Sequence, residues 1–228
     1  MNNQYKMNTV LFNQIEGFIL AGGASHRMGE PKYKLQIGGK TFVERAASAL
    51  DATCNGQINI VGEIDEQYLN VKLSDGKDRS LRNIQDIVIE REHGKNDAAR
   101  GAMIGLYTAL TYSKTKWISI LACDLPLVTG DLMKRLAGYC SNEFDAVVPV
   151  QPDAKLQPLC AFYRREKCLP IVKQSIDAGD VKMQSLISRI RTRFVEFDEI
   201  ADLDGSANFF FNVNRPEDYE TALEIASV

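Results

Sequence analysis

The residues best suited to chemistry in this 228-residue chain stand together near its start, in FILAGGASHRMGEPKYKL, residues 18–35. An apolar run ends at Leu20 and Ala21, the adjacent Gly22 and Gly23 follow, and Arg27 and Lys32 are spaced along the loop beyond. Glycine lets the backbone approach a ligand closely, and successive free N–H groups in such a turn form an anion-binding concavity. Two cations over that turn suit a triphosphate, whose charge must be neutralised before one of its bonds can break. Two familiar phosphate loops fail on spacing. The dinucleotide-binding GxGxxG leads at once into a helix, whereas these glycines are adjacent and Pro31 blocks early helix formation. The GxxxxGK[ST] loop has its lysine directly after the last glycine, whereas Glu30 and Pro31 separate Gly29 from Lys32.

A second candidate lies in WISILACDLP, residues 117–126, where an apolar strand stops at Asp124 and Pro126 prevents further regular pairing. A carboxylate at the end of a buried strand is costly to desolvate unless a cation meets it. Mg²⁺ fits, since it takes one or two carboxylates and completes its shell with water and phosphate oxygens. The competing role, a cap for the next helix, is better filled by Thr129. Of the two histidines, neither His26 in the loop nor His93 in a polar stretch belongs to a serine- or cysteine-nucleophile motif.

These residues need a scaffold, and the chain supplies one. Expected strands are Gly17–Ala21, Gln57–Gly62, Asp86–Glu90, Trp117–Cys123 and Asp145–Val150, with Leu159–Tyr163, Arg193–Phe197 and Phe209–Val213 as further candidates. Several are continuously apolar, as strands covered on both faces should be. Helices are expected over Thr41–Asp51, which opens with a Thr41/Glu44 capping box, and over Gly101–Tyr112, Gly130–Cys140, Arg164–Ala178, Val181–Arg191 and Pro216–Ala226. This alternation predicts an α/β fold: a doubly wound, mostly parallel sheet between helical layers, whose ligand site lies beyond the carboxyl ends of the strands. Residues 1–14 read as a loose extension and 15–228 as one domain; the polar Asp65–Asn83 segment is the most loop-like stretch.

Composition narrows the function classes. With 45% hydrophobic and 25% charged residues, the chain has the makeup of a soluble globular protein. A net charge of −3 argues against a broad grip on nucleic acid. The first fifteen residues hold no long apolar run, so neither an export signal nor a membrane span is expected. Five cysteines without CxxC spacing disfavour a disulfide framework or zinc knuckle, and a cytoplasmic location is expected.

LAGGASHRMGEPKYKL resembles the signature of the nucleotidyltransferases that activate sugars and cofactors with an NTP. Within that superfamily the chain is most similar to the molybdenum cofactor guanylyltransferases. RGAMIGLYTAL (100–110), LACDLPLV (121–128), QPLCAFY (157–163) and FNVNRPEDY (211–219) match later motifs in order, so the resemblance spans about residues 15 to 225. It implies a three-layer α/β/α, Rossmann-like nucleotide-diphospho-sugar transferase fold. It also implies Mg²⁺ on Asp124 and a nucleotide held by Leu20, Ala21, Gly22, Gly23, Arg27, Lys32, Gly101 and Asp124. Lys32, Arg27 and Asp124 would be the catalytic groups. Asn212 and Asn214, two apart on an expected strand, share one face and carry both donors and acceptors that suit a pterin edge; the resemblance implies that they hold molybdopterin. Asn214 has a competing role as a helix cap with Glu217.

Two departures from the family pattern stand out. Pro31 occupies the position before the lysine where an aspartate is usual. An aspartate that commonly follows the third strand is replaced in VIEREHGKND, where Arg91 follows Glu90 and Asp97 would take its place. Because such a carboxylate can read the N1 and N2 donors of guanine, its displacement bears on the choice of GTP.

The expected reaction is transfer of GMP from GTP to Mo-molybdopterin, releasing pyrophosphate. Related alternatives are transfer from CTP or to another phosphorylated acceptor. A non-catalytic nucleotide-binding regulator is the reading from a different class. The resemblance further implies cofactor-assembly proteins and recipient molybdoenzymes as partners.

Overall fold

The computed structural model describes residues 14–22, 28–54, 57–73, 76–86 and 101–227. Its centre is a seven-stranded sheet in the order β11-β9-β10-β8-β1-β4-β7. The strands are β1 (Ile15–Leu20), β4 (Ile58–Val61), β7 (Arg82–Ile84), β8 (Trp117–Ala122), β9 (Ala146–Pro149), β10 (Cys160–Arg164) and β11 (Thr192–Val195). Two short hairpins complete the set, β2 (Gln36–Ile37) with β3 (Lys40–Thr41), and β5 (Asn70–Lys72) with β6 (Asp78–Ser80). Pairing in the large sheet is parallel except along β10, which runs antiparallel to both β8 and β9.

Alternation along the central strands feeds two cores. Ile15, Ile19, Trp117 and Leu121 face one, with helices α1 (Phe42–Cys54), α3 (Gly130–Ala137) and α6 (Pro216–Ala226) packed against it. Phe18, Leu20, Ile118 and Ile120 face the other, covered by α2 (Ala102–Tyr112), α4 (Arg165–Asp177) and α5 (Met183–Ile187). The expected α/β architecture with a mostly parallel sheet is therefore observed.

Helix α1 starts at the expected box: Thr41 N donates to Glu44 Oε2 at 2.7 Å, and Glu44 N donates to Thr41 Oγ1 at 3.2 Å. Thr129 caps α3 by accepting from Leu132 N at 3.4 Å, which frees Asp124 from that task. All five cysteines are free thiols.

Three expectations are corrected. The third parallel strand is Arg82–Ile84, not Asp86–Glu90; Asp86 lies in the irregular chain after it, and 87–90 fall outside the described residues. Asp65–Asn83 is not a loop, for it holds a 3-10 turn at Glu66–Tyr68, the β5–β6 hairpin and the start of β7. Phe209–Val213 is not a strand. Phe209 and Phe210 sit in the core just after the Ser206–Asn208 3-10 turn, and their packing replaces ladder pairing.

Candidate active site

The site forms where β1, β4, β7 and β8 end together. Ala21 N donates to Val61 O at 2.9 Å, Gly62 N to Ile84 O at 3.1 Å, and Cys123 N to Leu20 O at 3.0 Å. The four strand ends are thereby stitched into one rim just before Gly22 and Asp124. Gly62 is required at that rim. It has φ +122°, and a Cβ there would lie 2.9 Å from Gly22 N. The buried Leu20 side chain packs against Gly105, where a Cβ would come within 3.2 Å, so helix α2 lies close over the end of β1.

Lys32 opens a 3-10 turn over Lys32–Lys34, and its Nζ donates to Asp124 Oδ2 at 3.2 Å and to Asn214 Oδ1 at 2.6 Å. Residues from three separated segments thus converge on one ammonium. Asp124 Oδ1 is buried and makes no hydrogen bond. A carboxylate oxygen in that state has an unfilled coordination position. A divalent cation fits there, supported by a single carboxylate and otherwise by water and phosphate. Among the described residues no cluster of three His, Cys, Asp or Glu side chains forms a closed metal cage.

The loop carrying Asn214 is anchored from both sides. Val213 N donates to Asp124 O at 3.0 Å, and Asn214 N and Arg215 N donate to Asp218 Oδ2 at 2.8 and 2.9 Å. Asp218 therefore closes the start of α6, replacing the expected Asn214–Glu217 box and leaving the Asn214 side chain for Lys32. Asn212 and Asn214 are both exposed and Val213 between them is buried, in a stretch that is not a strand. Asn212 is not among the Lys32 contacts. Tyr219 on α6 donates its hydroxyl to Gln36 O at 2.7 Å, docking that helix on the chain just after Lys32. Arg45 on α1 donates to Pro126 O at 2.6 Å and Ile37 O at 3.3 Å, tying the Asp124 turn to the same chain. Burial holds its pKa below the ordinary arginine value.

Gly101 begins α2 with φ +128°, a conformation open to glycine, and is exposed. Gly23, Arg27 and Asp97 lie outside the described residues, as does His26.

One acidic residue escaped the sequence reading. Asp86 follows β7 after a single intervening residue, and its Oδ2 would lie 3.4 Å from a Cβ on Gly22. Protein around the strand ends withdraws water and raises the carboxyl pKa, opposed by a hydrogen bond with Thr108. The signal was LRNIQD, whose final residue is an aspartate just after the third strand; the more apolar IVIE drew the strand to itself.

Solved structures share this architecture. A molybdopterin-guanine dinucleotide biosynthesis protein A from Archaeoglobus fulgidus superposes with a TM-score of 0.69 at 23% identity, covering 93% of this chain and 98% of its own. A 2-C-methyl-D-erythritol 4-phosphate cytidylyltransferase from Thermus thermophilus gives 0.65 at 16% identity, covering 94% and 100%. The fold is that of the nucleotidyltransferases. Residues 17–194 match the MobA-like NTP transferase domain, and the chain belongs to that family of transferases. Relatives described as probable molybdenum cofactor guanylyltransferases include one from Bacillus cereus, 31% identical over 90% of this chain and 94% of the relative. Another, from Bacillus anthracis, is 33% identical with the same coverages of 90% and 94%.

Proposed function

We propose that this chain is a molybdenum cofactor guanylyltransferase, moving GMP from GTP to the terminal phosphate of molybdopterin carrying molybdenum. An oxygen of the acceptor phosphate attacks the α-phosphorus. A new P–O bond forms, the α–β bridging bond breaks with its electron pair, and pyrophosphate leaves. The acceptor is already an anion at neutral pH, so no general base is needed, and catalysis reduces to positioning and charge neutralisation.

The observation that carries the reading is the convergence of Lys32, Asp124 and Asn214. Lys32, together with Arg27, neutralises charge building on the departing phosphates. Asp124, with its unpaired oxygen, would hold Mg²⁺, which when bound supplies further charge neutralisation and alignment of phosphate oxygens. Asn214, aided by Asn212, holds the acceptor. Gly22, Gly23 and Gly101 serve the nucleotide, and Asp86 takes the role expected of Asp97, reading the guanine N1 and N2 donors. The names of the Bacillus relatives support this acceptor and nucleotide. Cytoplasmic residence is part of the proposal: the thiols are free, and among the described residues no helix is long and apolar enough to cross a membrane.

Pyrophosphate release, measured with each of the four NTPs, with and without molybdopterin and Mg²⁺, tests the reading. GTP with acceptor and metal is expected to work. A preference for CTP would change the substrate, and no release from any NTP would leave only nucleotide binding.

A further inference from the structure

Lys34 shares the Lys32–Lys34 turn with the catalytic lysine but is turned elsewhere. With three residues per turn, positions two apart on a 3-10 helix point to different sides. The Lys34 ammonium pairs with Asp65 Oδ2 at 2.7 Å and lies 5.6 and 5.8 Å from the ring centroids of Tyr33 and Tyr68. Those rings meet edge to face, with centroids 5.3 Å apart and planes at 69°. Asp65 N donates to Tyr33 Oη at 3.3 Å, so both the backbone and the side chain of Asp65 grip the turn. Lys34 in return holds the Asp65 carboxyl below its ordinary pKa.

The gripping segment is itself fastened. Tyr68 N donates to Asp65 O at 3.0 Å, and Leu81 N donates to Leu69 O at 2.7 Å, which binds the segment to the chain entering β7. Val71 of the adjoining hairpin is buried in the same core as α1. On the other side, Lys34 N donates to Pro31 O and Leu35 N to Lys32 O, both at 3.1 Å, so backbone bonds tie Lys32 and Lys34 into one closed turn.

We propose that the Asp65–Tyr68 segment is a brace whose grip on Tyr33 and Lys34 sets the position of Lys32, making Asp65 and Tyr68 positioning residues for nucleotidyl transfer. The proposal rests on the reading of Lys32 given above. It assigns a task to the polar stretch that the reaction itself does not use. The Lys34–Asp65 ion pair contributes little to stability, because ion pairs open to solvent are weak. Misplacing a catalytic group by about an ångström, however, can cost on the order of a hundredfold in rate.

Asp65→Asn and Tyr68→Leu separate position from stability. Competitive amine labelling of the free protein, read by peptide mass spectrometry, should show severalfold faster modification of Lys32, with Lys114 unchanged as the internal control. In Asp65→Asn the melting temperature should stay at the wild-type value. For turnover, kcat should fall about tenfold or more while the KM for the nucleotide stays within about twofold. Tyr68→Phe, which keeps the ring, should match wild type in every readout. Wild-type labelling of Lys32 in both Asp65→Asn and Tyr68→Leu overturns the brace, as does a loss of kcat that merely tracks a lowered melting temperature. Wild-type protein that releases no pyrophosphate would instead sink the reaction reading, and labelling would still decide the brace.

Discussion

The Lys32 ammonium meets the Asn214 side-chain carbonyl at 2.6 Å, although 182 positions separate the two residues. One lysine therefore touches both the acidic residue assigned to the nucleotide and the amide assigned to the acceptor. If Asn214 holds the acceptor, Asn214→Ala should raise the acceptor KM roughly tenfold, as loss of a hydrogen bond to a charged partner would. Nucleotide affinity measured by calorimetry should hold. A change confined to nucleotide binding would move Asn214 to the other half of the site.

Asp124 offers one oxygen to Lys32 and leaves the other buried without a partner. Asp124→Asn should lower kcat by roughly a hundred- to a thousandfold, the scale for removing a preorganised electrostatic group. Wild-type protein should rise in melting temperature on titration with Mg²⁺, and the variant should not. An unchanged magnesium-dependent thermal shift in the variant would disprove the ligand role.

Both Asp124 and Lys32 were legible in the sequence, by different signals. Asp124 ends a continuously apolar strand, and burial on both faces makes such strands conspicuous. Lys32 was marked by its glycine loop. The third strand was missed because β7 is a short sheet edge with Arg82 exposed, Asn83 half-buried and only Ile84 fully buried, so no apolar run announces it. Asp86 was missed with it. The β5–β6 hairpin was hidden for a related reason: its strands inside the Asp65–Asn83 stretch are polar, and only Val71 among their six residues is buried. FFFNV, residues 209–213, conversely, has strand-like residues but buries Phe209 and Phe210 in the core, and Val213 N pairs with the Asp124 backbone. Local pattern finds elements that bury themselves; it does not find those held by partners far away in sequence.

Asp86, beside Gly22 at the end of β7, is the candidate for selecting guanine. Asp86→Asn should cut the preference for GTP over other purine triphosphates by roughly ten- to a hundredfold, equivalent to about 1–3 kcal/mol for a mispaired polar contact. Competition assays with GTP and ITP, which differ by the exocyclic amine, give the cleanest measure. An unaltered ratio would remove Asp86 from base reading.

The rim between β1 and β4 depends on the absence of a side chain at Gly62. Gly62→Ala places a methyl group 2.9 Å from Gly22 N at φ +122°. Strain of that kind costs about 1–3 kcal/mol, and chemical denaturation should register it as a lower midpoint with an unchanged slope. Nucleotide affinity should fall as well, since the displaced backbone is that of Gly22. Full stability in the variant would show that the rim relaxes freely.

Away from the site, Asp145 and Arg191 join the start of β9 to the chain before β11. Asp145 Oδ2 accepts from Arg191 N at 3.2 Å and Nε at 3.0 Å, and Oδ1 accepts from the guanidinium at 2.9 Å. The Arg191 side-chain hydrogen bonds hold the Asp145 carboxyl below its ordinary value of 3.8, against the opposing effect of burial. A carboxyl with a depressed folded pKa adds stability that is fully present above the unfolded value and is lost as pH falls through the folded one. In wild type this contribution should persist at pH 7 and fade below about pH 4. Arg191→Ala removes the cause and leaves the buried carboxylate with poorer partners. Acid unfolding followed by circular dichroism should then begin at a higher pH than in wild type, and the difference in stability between the two proteins should shrink towards pH 2. A constant difference across that range would mean that Arg191 stabilises the fold through packing rather than through the charge on Asp145.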